Sequence, residues 1–117
     1  NIDSGMYYGI QKGAIQALTI DNSWYEFTNQ TYSQRREIVY HICEKLNLTY
    51  NKNSTGMFVW AKIKDSKTSS IDFVNNLLYT KDIFITPGSI FGLNGEGYVR
   101  LSLCLSHDKL KEALRKL

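Results

Sequence analysis

The sequence has one proline, Pro87, two cysteines, Cys43 and Cys104, and two histidines, His41 and His107. Each scarcity excludes something. So little proline argues against a disordered tail. Two cysteines in a chain with ample core-forming residues do not make a disulfide framework; they read as reduced, buried residues and point to the cytoplasm. His41 and His107 have no metal-ligand spacing with either cysteine, so no metal site is expected. No Ser-His-Asp or Cys-His arrangement stands out. No apolar run reaches the roughly 20 residues of a membrane span. The chain begins at Asn1 with no initiator Met and no leader-like segment. The Asn-x-Ser/Thr sequons at Asn29, Asn47 and Asn53 therefore read as chance. The net charge is +3, and the basic residues are scattered rather than striped among aromatics, so neither nucleic acid nor a membrane is an expected partner.

What is present is enough for a core. The chain has 117 residues, 43% of them apolar and 13% aromatic, and reads as a single domain. From Gly9 to Leu18, Ile10, Ala14, Ile15 and Leu18 recur at helical spacing. Asp21, Asn22 and Ser23 are N-cap candidates for a long helix, and Ser23 and Glu26 have the capping-box spacing. That helix is expected to run to about Leu46, with Ile38, Val39, Ile42, Cys43 and Leu46 as its stripe. Ser69 or Ser70 caps a further helix, with Ile71, Phe73, Val74, Leu77 and Leu78 as its stripe. Ser106 caps the last one, whose stripe is Leu110, Ala113, Leu114 and Leu117.

Strands alternate with these helices. Leu48–Tyr50 reads as a short one. Met57–Ile63 places Met57, Val59, Ala61 and Ile63 on one face and Phe58 and Trp60 on the other, which suggests a central strand. Phe58 and Trp60 could line a ligand-facing side of the sheet, but core packing is their expected role. Ile83–Thr86 leads into Pro87. Tyr98–Leu105 puts Val99, Leu101, Leu103 and Leu105 inward and Tyr98, Arg100, Ser102 and Cys104 outward. The fold class is α+β: a small antiparallel or mixed sheet of three to four strands, helices on one face, preceded by a long helix.

The most informative stretch is Pro87-Gly88-Ser89-Ile90-Phe91-Gly92-Leu93-Asn94-Gly95-Glu96-Gly97-Tyr98-Val99-Arg100-Leu101-Ser102. A glycine-rich loop runs directly into a strand that carries one arginine. A preoriented guanidinium can take a carboxylate through two parallel hydrogen bonds. The glycines are followed by a strand rather than a helix N-terminus, so they do not read as a phosphate cradle.

These residues resemble the C-terminal signature of the class I/II aminotransferases, pyridoxal-phosphate enzymes of fold type I. There, as here, Pro-Gly is followed by Phe-Gly, a glycine-rich link, and then Arg with an apolar-Ser pair. Gly56-Met57-Phe58-Val59-Trp60-Ala61 resembles the family's Gly-aromatic-Trp strand, Tyr32–Arg36 its Tyr-x-x-Arg-Arg helix, and Gln11–Leu18 the helix before it. The resemblance covers nearly the whole chain. It implies that residues 1–117 are the C-terminal small domain of a larger, homodimeric enzyme, with residues 1–20 a lead-in and helix following a missing N-terminal large domain. It implies amino acid and 2-oxo acid substrates, pyridoxal 5'-phosphate in the full-length parent, and Arg100 as the group that binds the substrate α-carboxylate. Ser4 and Gly5 correspond to a segment that approaches the partner subunit's active site, although an ordinary turn explains them equally well.

The Schiff-base lysine of this family has no counterpart here: Lys12 falls in a predicted helix and Lys62 in a predicted strand. The fragment alone is expected to hold no cofactor and to be inactive, with no catalytic, cofactor-binding or metal residue of its own. Two other readings remain open: a pyridoxal-phosphate-dependent lyase of the same fold, and a free-standing α+β binding module. The gene distinguishes them. A Ser-x-x-Lys motif encoded shortly upstream of Asn1 is expected for the enzyme, and a start codon at that point is expected for the module.

Overall fold

A computed structural model of the chain describes residues 5–117. The chain divides into two compact units, residues 1–31 and Tyr32–Leu117, and each is described by itself.

The first unit holds helix α1 (Tyr8–Leu18) and the opening turns of helix α2 (Asn22–Lys45). α1 ends where the Thr19 hydroxyl donates to the carbonyls of Ile15 and Gln16. The Asp21 carboxylate accepts from the Ser23 amide at 2.8 Å and caps α2. The cap is thus Asp21, not Ser23 paired with Glu26, because a side chain two residues upstream reaches the amide in a tighter ring. Predicted α1 forms as a helix, yet none of its residues is buried, and Leu18 is 86% exposed. Its apolar spacing is real, but no side chain of this unit covers it.

The second unit contains the sheet: β1 (Leu48–Tyr50), β2 (Phe58–Ile63), β3 (Thr86–Pro87) and β4 (Tyr98–Ser102), in the order β1-β2-β4-β3 with all pairs antiparallel. β2 is central, as its two-faced apolar pattern predicts. Alternation does the rest. Val59, Ala61 and Ile63 of β2 and Val99 and Leu101 of β4, with Leu103 just beyond, are all buried on one face. Against them lie Ile38, Val39, Ile42 and Cys43 of α2, Val74 and Leu77 of helix α3 (Ser70–Lys81), and Leu110 of helix α4 (His107–Lys116). Burying each such aliphatic side chain is worth about 1.5–3 kcal/mol. Ser69 and Ser106 cap α3 and α4, accepting from Asp72 and Lys109 amides.

The paired arginines of α2 tie the helix to this layer. Arg35 Nη1 donates to the Leu103 carbonyl at 3.1 Å, and Arg36 donates to the Ser54 and Gly56 carbonyls. These carbonyls stand together at one end of the β2–β4 pair, just before Phe58 and just after Ser102.

Several expectations at the edges are corrected. β4 ends at Ser102, whose hydroxyl accepts from the Cys104 amide at 3.1 Å. That local turn breaks the alternation, so Leu105 and Cys104 are exposed rather than buried in a longer strand. β3 is two residues, because Pro87 cannot donate to a ladder. Ile71 lies on the solvent side of α3. Phe58 and Trp60 are not core residues: they are 37% and 40% exposed on the face opposite Val59 and Ala61.

The cysteines now differ sharply. Cys43 is fully buried, and desolvation pushes its thiol up to about 12, whereas Cys104 is exposed. In the native protein one thiol is expected to react with a thiol reagent at neutral pH, the second only on unfolding. Cys104→Ser should remove the fast phase and Cys43→Ser should leave it.

Candidate carboxylate-binding site

The face of the sheet that carries Arg100 is built by register. β2 and β4 pair Phe58 with Ser102, Trp60 with Arg100 and Lys62 with Tyr98. Six side chains that point away from the core therefore form one surface, with Arg100 near its middle. Thr86 of β3 pairs with Arg100 from the other side, so the backbone of this arginine is held by both neighbours.

The loop before β4 supplies the rest. It is not featureless: it forms two short 3-10 turns, Gly88–Phe91 and Leu93–Gly95. Gly88 and Gly95 lie backbone on backbone, so closely that a Cβ on either would strike the carbonyl of the other. Gly92, between the turns, has φ +113°, a conformation that glycine adopts readily. The folded loop swings Phe91 back over the sheet, where its ring meets Trp60 edge-on at 5.7 Å. Trp60 also stacks on Tyr98 at 5.6 Å.

Arg100 sits in this aromatic ground. Its guanidinium carbon is 4.2 Å from the centroid of the Phe58 ring and 4.7 Å from that of Phe91. Each contact is worth about 0.5–1 kcal/mol at a partly exposed site. Among the described residues no hydrogen bond or ion pair engages the guanidinium, although it is only half exposed. Both rings lie beside the guanidinium, and its N–H groups have no protein acceptor among the described residues. A recess of about 330 Å³ is lined by Arg100, Thr86 and Ser102 and also by Ile42, Leu110 and Ala113 of the helix layer.

A second polar group fixes the loop. The Glu96 carboxylate accepts from the Ser70 amide at 2.7 Å, the Ser70 hydroxyl at 3.1 Å and the Gly97 amide at 3.1 Å. The Ser70 hydroxyl lies 3.0 Å from that of Ser89. Glu96 thus binds the first turn of α3 and anchors the far end of the glycine loop. Hydrogen bonding, first from the Ser70 amide, holds its carboxyl below the ordinary glutamate range. Among the described residues Ser70 is the one buried polar residue, with none of its surface exposed.

Of the site residues expected from sequence, Arg100 lies on this face. Gly5 is an exposed residue of the first unit with φ +86°. Ser4 falls outside the described residues. Sequence reasoning missed Phe91 and Glu96, and weighed Phe58 as a residue of this face but favoured core packing for it. Phe58 and Arg100 have the same strand parity, but only the register makes them neighbours. Glu96 gives no local signal, since its partner Ser70 is 26 residues away.

The comparisons with known proteins bear on the whole chain. The family model described as aminotransferase class I and II matches residues 8–117. The chain belongs to this family. It is 38% identical over its full length to the LL-diaminopimelate aminotransferase of Maridesulfovibrio salexigens and 35% identical to that of Halothermothrix orenii. It spans 30% of the length of each of these curated relatives. Among solved structures, it resembles an aromatic aminotransferase from Pyrococcus horikoshii, with a TM-score of 0.78 and 32% identity over 92% of this chain and 29% of that one. It also resembles the BacF protein of Bacillus subtilis, with a TM-score of 0.77 and 33% identity over 96% of this chain and 29% of that one.

The family's cofactor is pyridoxal phosphate, and neither Lys12 nor Lys62 stands in surroundings suited to carry it. Lys12 is on the exposed α1 with its ammonium 5.3 Å from the Tyr8 ring, and Lys62 is on β2, 5.9 Å from the Tyr98 ring. Both side chains are exposed, whereas an imine-forming lysine is activated by desolvation or by a neighbouring cation. Gly88 and Gly95 are packed against each other and leave no cradle for a phosphate.

The Glu96 anchor has a pH dependence of known sign. A folded-state pKa below the unfolded value adds stability above the unfolded value, and that stability is lost as pH falls through the folded one. Glu96→Gln is expected to lower the melting temperature at neutral pH. Followed by circular dichroism, the difference from wild type should shrink as the pH drops below the ordinary glutamate range, because both proteins then carry an uncharged side chain at this position.

Proposed function

We propose that this chain is the C-terminal part of a longer aminotransferase, in which it binds the α-carboxylate of an amino acid or 2-oxo acid through Arg100. The observation that carries this reading is the state of the guanidinium. It is held by two aromatic rings, its backbone is paired on both sides, and its N–H edge has no acceptor among the described residues. A planar fork in that state is suited to bidentate capture of a carboxylate. The Phe58, Trp60, Tyr98 and Phe91 rings lower the local dielectric, which strengthens the ion pair formed there.

Pyridoxal phosphate, with the lysine that carries it, belongs to the remainder of the longer enzyme and supplies the electron sink for amino-group transfer. The share of this chain is orientation. A substrate gripped at its carboxylate by a guanidinium on a rigid strand has few ways left to place its amino-bearing carbon. The relatives named LL-diaminopimelate aminotransferase support an amino acid substrate, and the matched length in each, 30%, supports a part rather than the whole.

Arg100→Lys in the full-length enzyme keeps the charge and removes the fork. We expect kcat/KM for the amino acid to fall by about 10²-fold, the scale of one or two lost charge-assisted hydrogen bonds. The absorbance of bound cofactor should be retained. Steady-state kinetics equal to wild type would overturn the assignment of Arg100.

A further inference from the structure

The aromatic surroundings of Arg100 have a role of their own. We propose that Phe58 and Phe91 are positioning residues that hold the Arg100 guanidinium ready for a carboxylate. The proposal rests on the reading of Arg100 given above and extends it to two residues with no polar chemistry.

An arginine on a strand has several rotatable bonds, and a freely moving one loses that freedom when it grips a ligand. Protein arginines commonly avoid this loss through a fixed carboxylate or carbonyl partner, as Arg35 and Arg36 do with the carbonyls of Leu103, Ser54 and Gly56. Such a partner at Arg100 would compete with the substrate for the same N–H groups. Aromatic rings solve the problem differently. They attract the cation through the ring quadrupole and offer no lone-pair acceptor to its N–H groups. At Arg100 both rings lie within cation–π range, and no acceptor among the described residues touches the edge.

The two rings arrive by unrelated routes. Phe58 comes from the neighbouring strand, two register positions from Trp60, which pairs with Arg100. Phe91 comes from the glycine loop, and its placement depends on the Gly88–Gly95 backbone contact and on the Glu96 anchor. Both rings remain substantially exposed, at 37% and 51%, which is more solvent contact than a purely packing role would leave to a phenylalanine. The Pro-Gly to Arg stretch can therefore be understood as one device: the loop folds so that a ring is carried back onto the arginine that follows it.

The test uses the full-length enzyme and two small probes, propionate and its uncharged match propionamide, with dissociation constants read by ligand-observed NMR. Phe58→Leu and Phe91→Leu keep most of the apolar volume and remove the π face. Each is expected to weaken propionate binding about two- to fivefold, the scale of one cation–π contact. Propionamide binding should not change. Phe→Trp at the same positions should retain propionate affinity. A series of increasingly fluorinated phenylalanines at position 91 should weaken it in step with the loss of ring electron density, at nearly constant shape. Arg100→Ala is the reference. If it weakens propionate and the Leu variants do not, or if Leu and Trp variants behave alike, the positioning role is overturned and the arginine assignment stands. If Arg100→Ala leaves propionate binding unchanged, both are overturned.

Discussion

The pairing of β2 with β4 is the constraint from which the rest of the second unit follows. Five residues of each strand are matched in one antiparallel register, Phe58 with Ser102 through Lys62 with Tyr98. Because side chains alternate, this single register decides two surfaces at once. One is the buried layer of Val59, Ala61, Val99 and Leu101, on which α2, α3 and α4 rest. The other is the face of Phe58, Trp60, Tyr98 and Arg100. A slip of β4 by one residue would turn the Arg100 guanidinium into the core and expose Val99 and Leu101. The core therefore enforces the site: the free energy of burying the aliphatic layer is what keeps Arg100 on the outer face.

The glycine loop meets this register from the side. Its job is geometrical, and it is met by backbone contact rather than by flexibility. Gly88 and Gly95 close the two 3-10 turns on each other, and Glu96 fastens the exit to the N-terminus of α3. The Ser69 and Glu96 side chains share the opening amides of that helix, one satisfying Asp72 and the other Ser70. An acidic group at a helix N-terminus is favoured by the helix dipole, so the anchor serves helix and loop together. The sheet face, the loop and α3 are in this way mechanically connected.

Much of the fold was legible beforehand, and for identifiable reasons. The Ser69 and Ser106 caps, the Val74 and Leu77 stripe and the two-faced pattern of β2 are local, and each is stated by a few adjacent residues. The misreadings sit at the ends of elements or on surfaces. Leu105 and Cys104 were assigned to β4 because periodicity has no way to announce the Ser102–Cys104 turn. Phe58 and Trp60 read as core because large aromatics usually are, whereas here they lie on the partly exposed face that carries Arg100. The stripe of α1 formed a helix but not a buried one, since periodicity specifies which side is apolar and not what covers it.

The sequence by itself determined the family, the α+β element order and the one arginine that the glycine-rich motif introduces, because these depend on residue types at short, fixed spacings. Only the tertiary structure decided what surrounds that arginine. Phe58 is 42 residues away in the chain and Phe91 lies across a loop, and both reach the guanidinium through strand register and a backbone contact between two glycines. Contacts of that kind leave no periodic trace, since they are fixed by how distant segments pack and not by what either segment prefers alone.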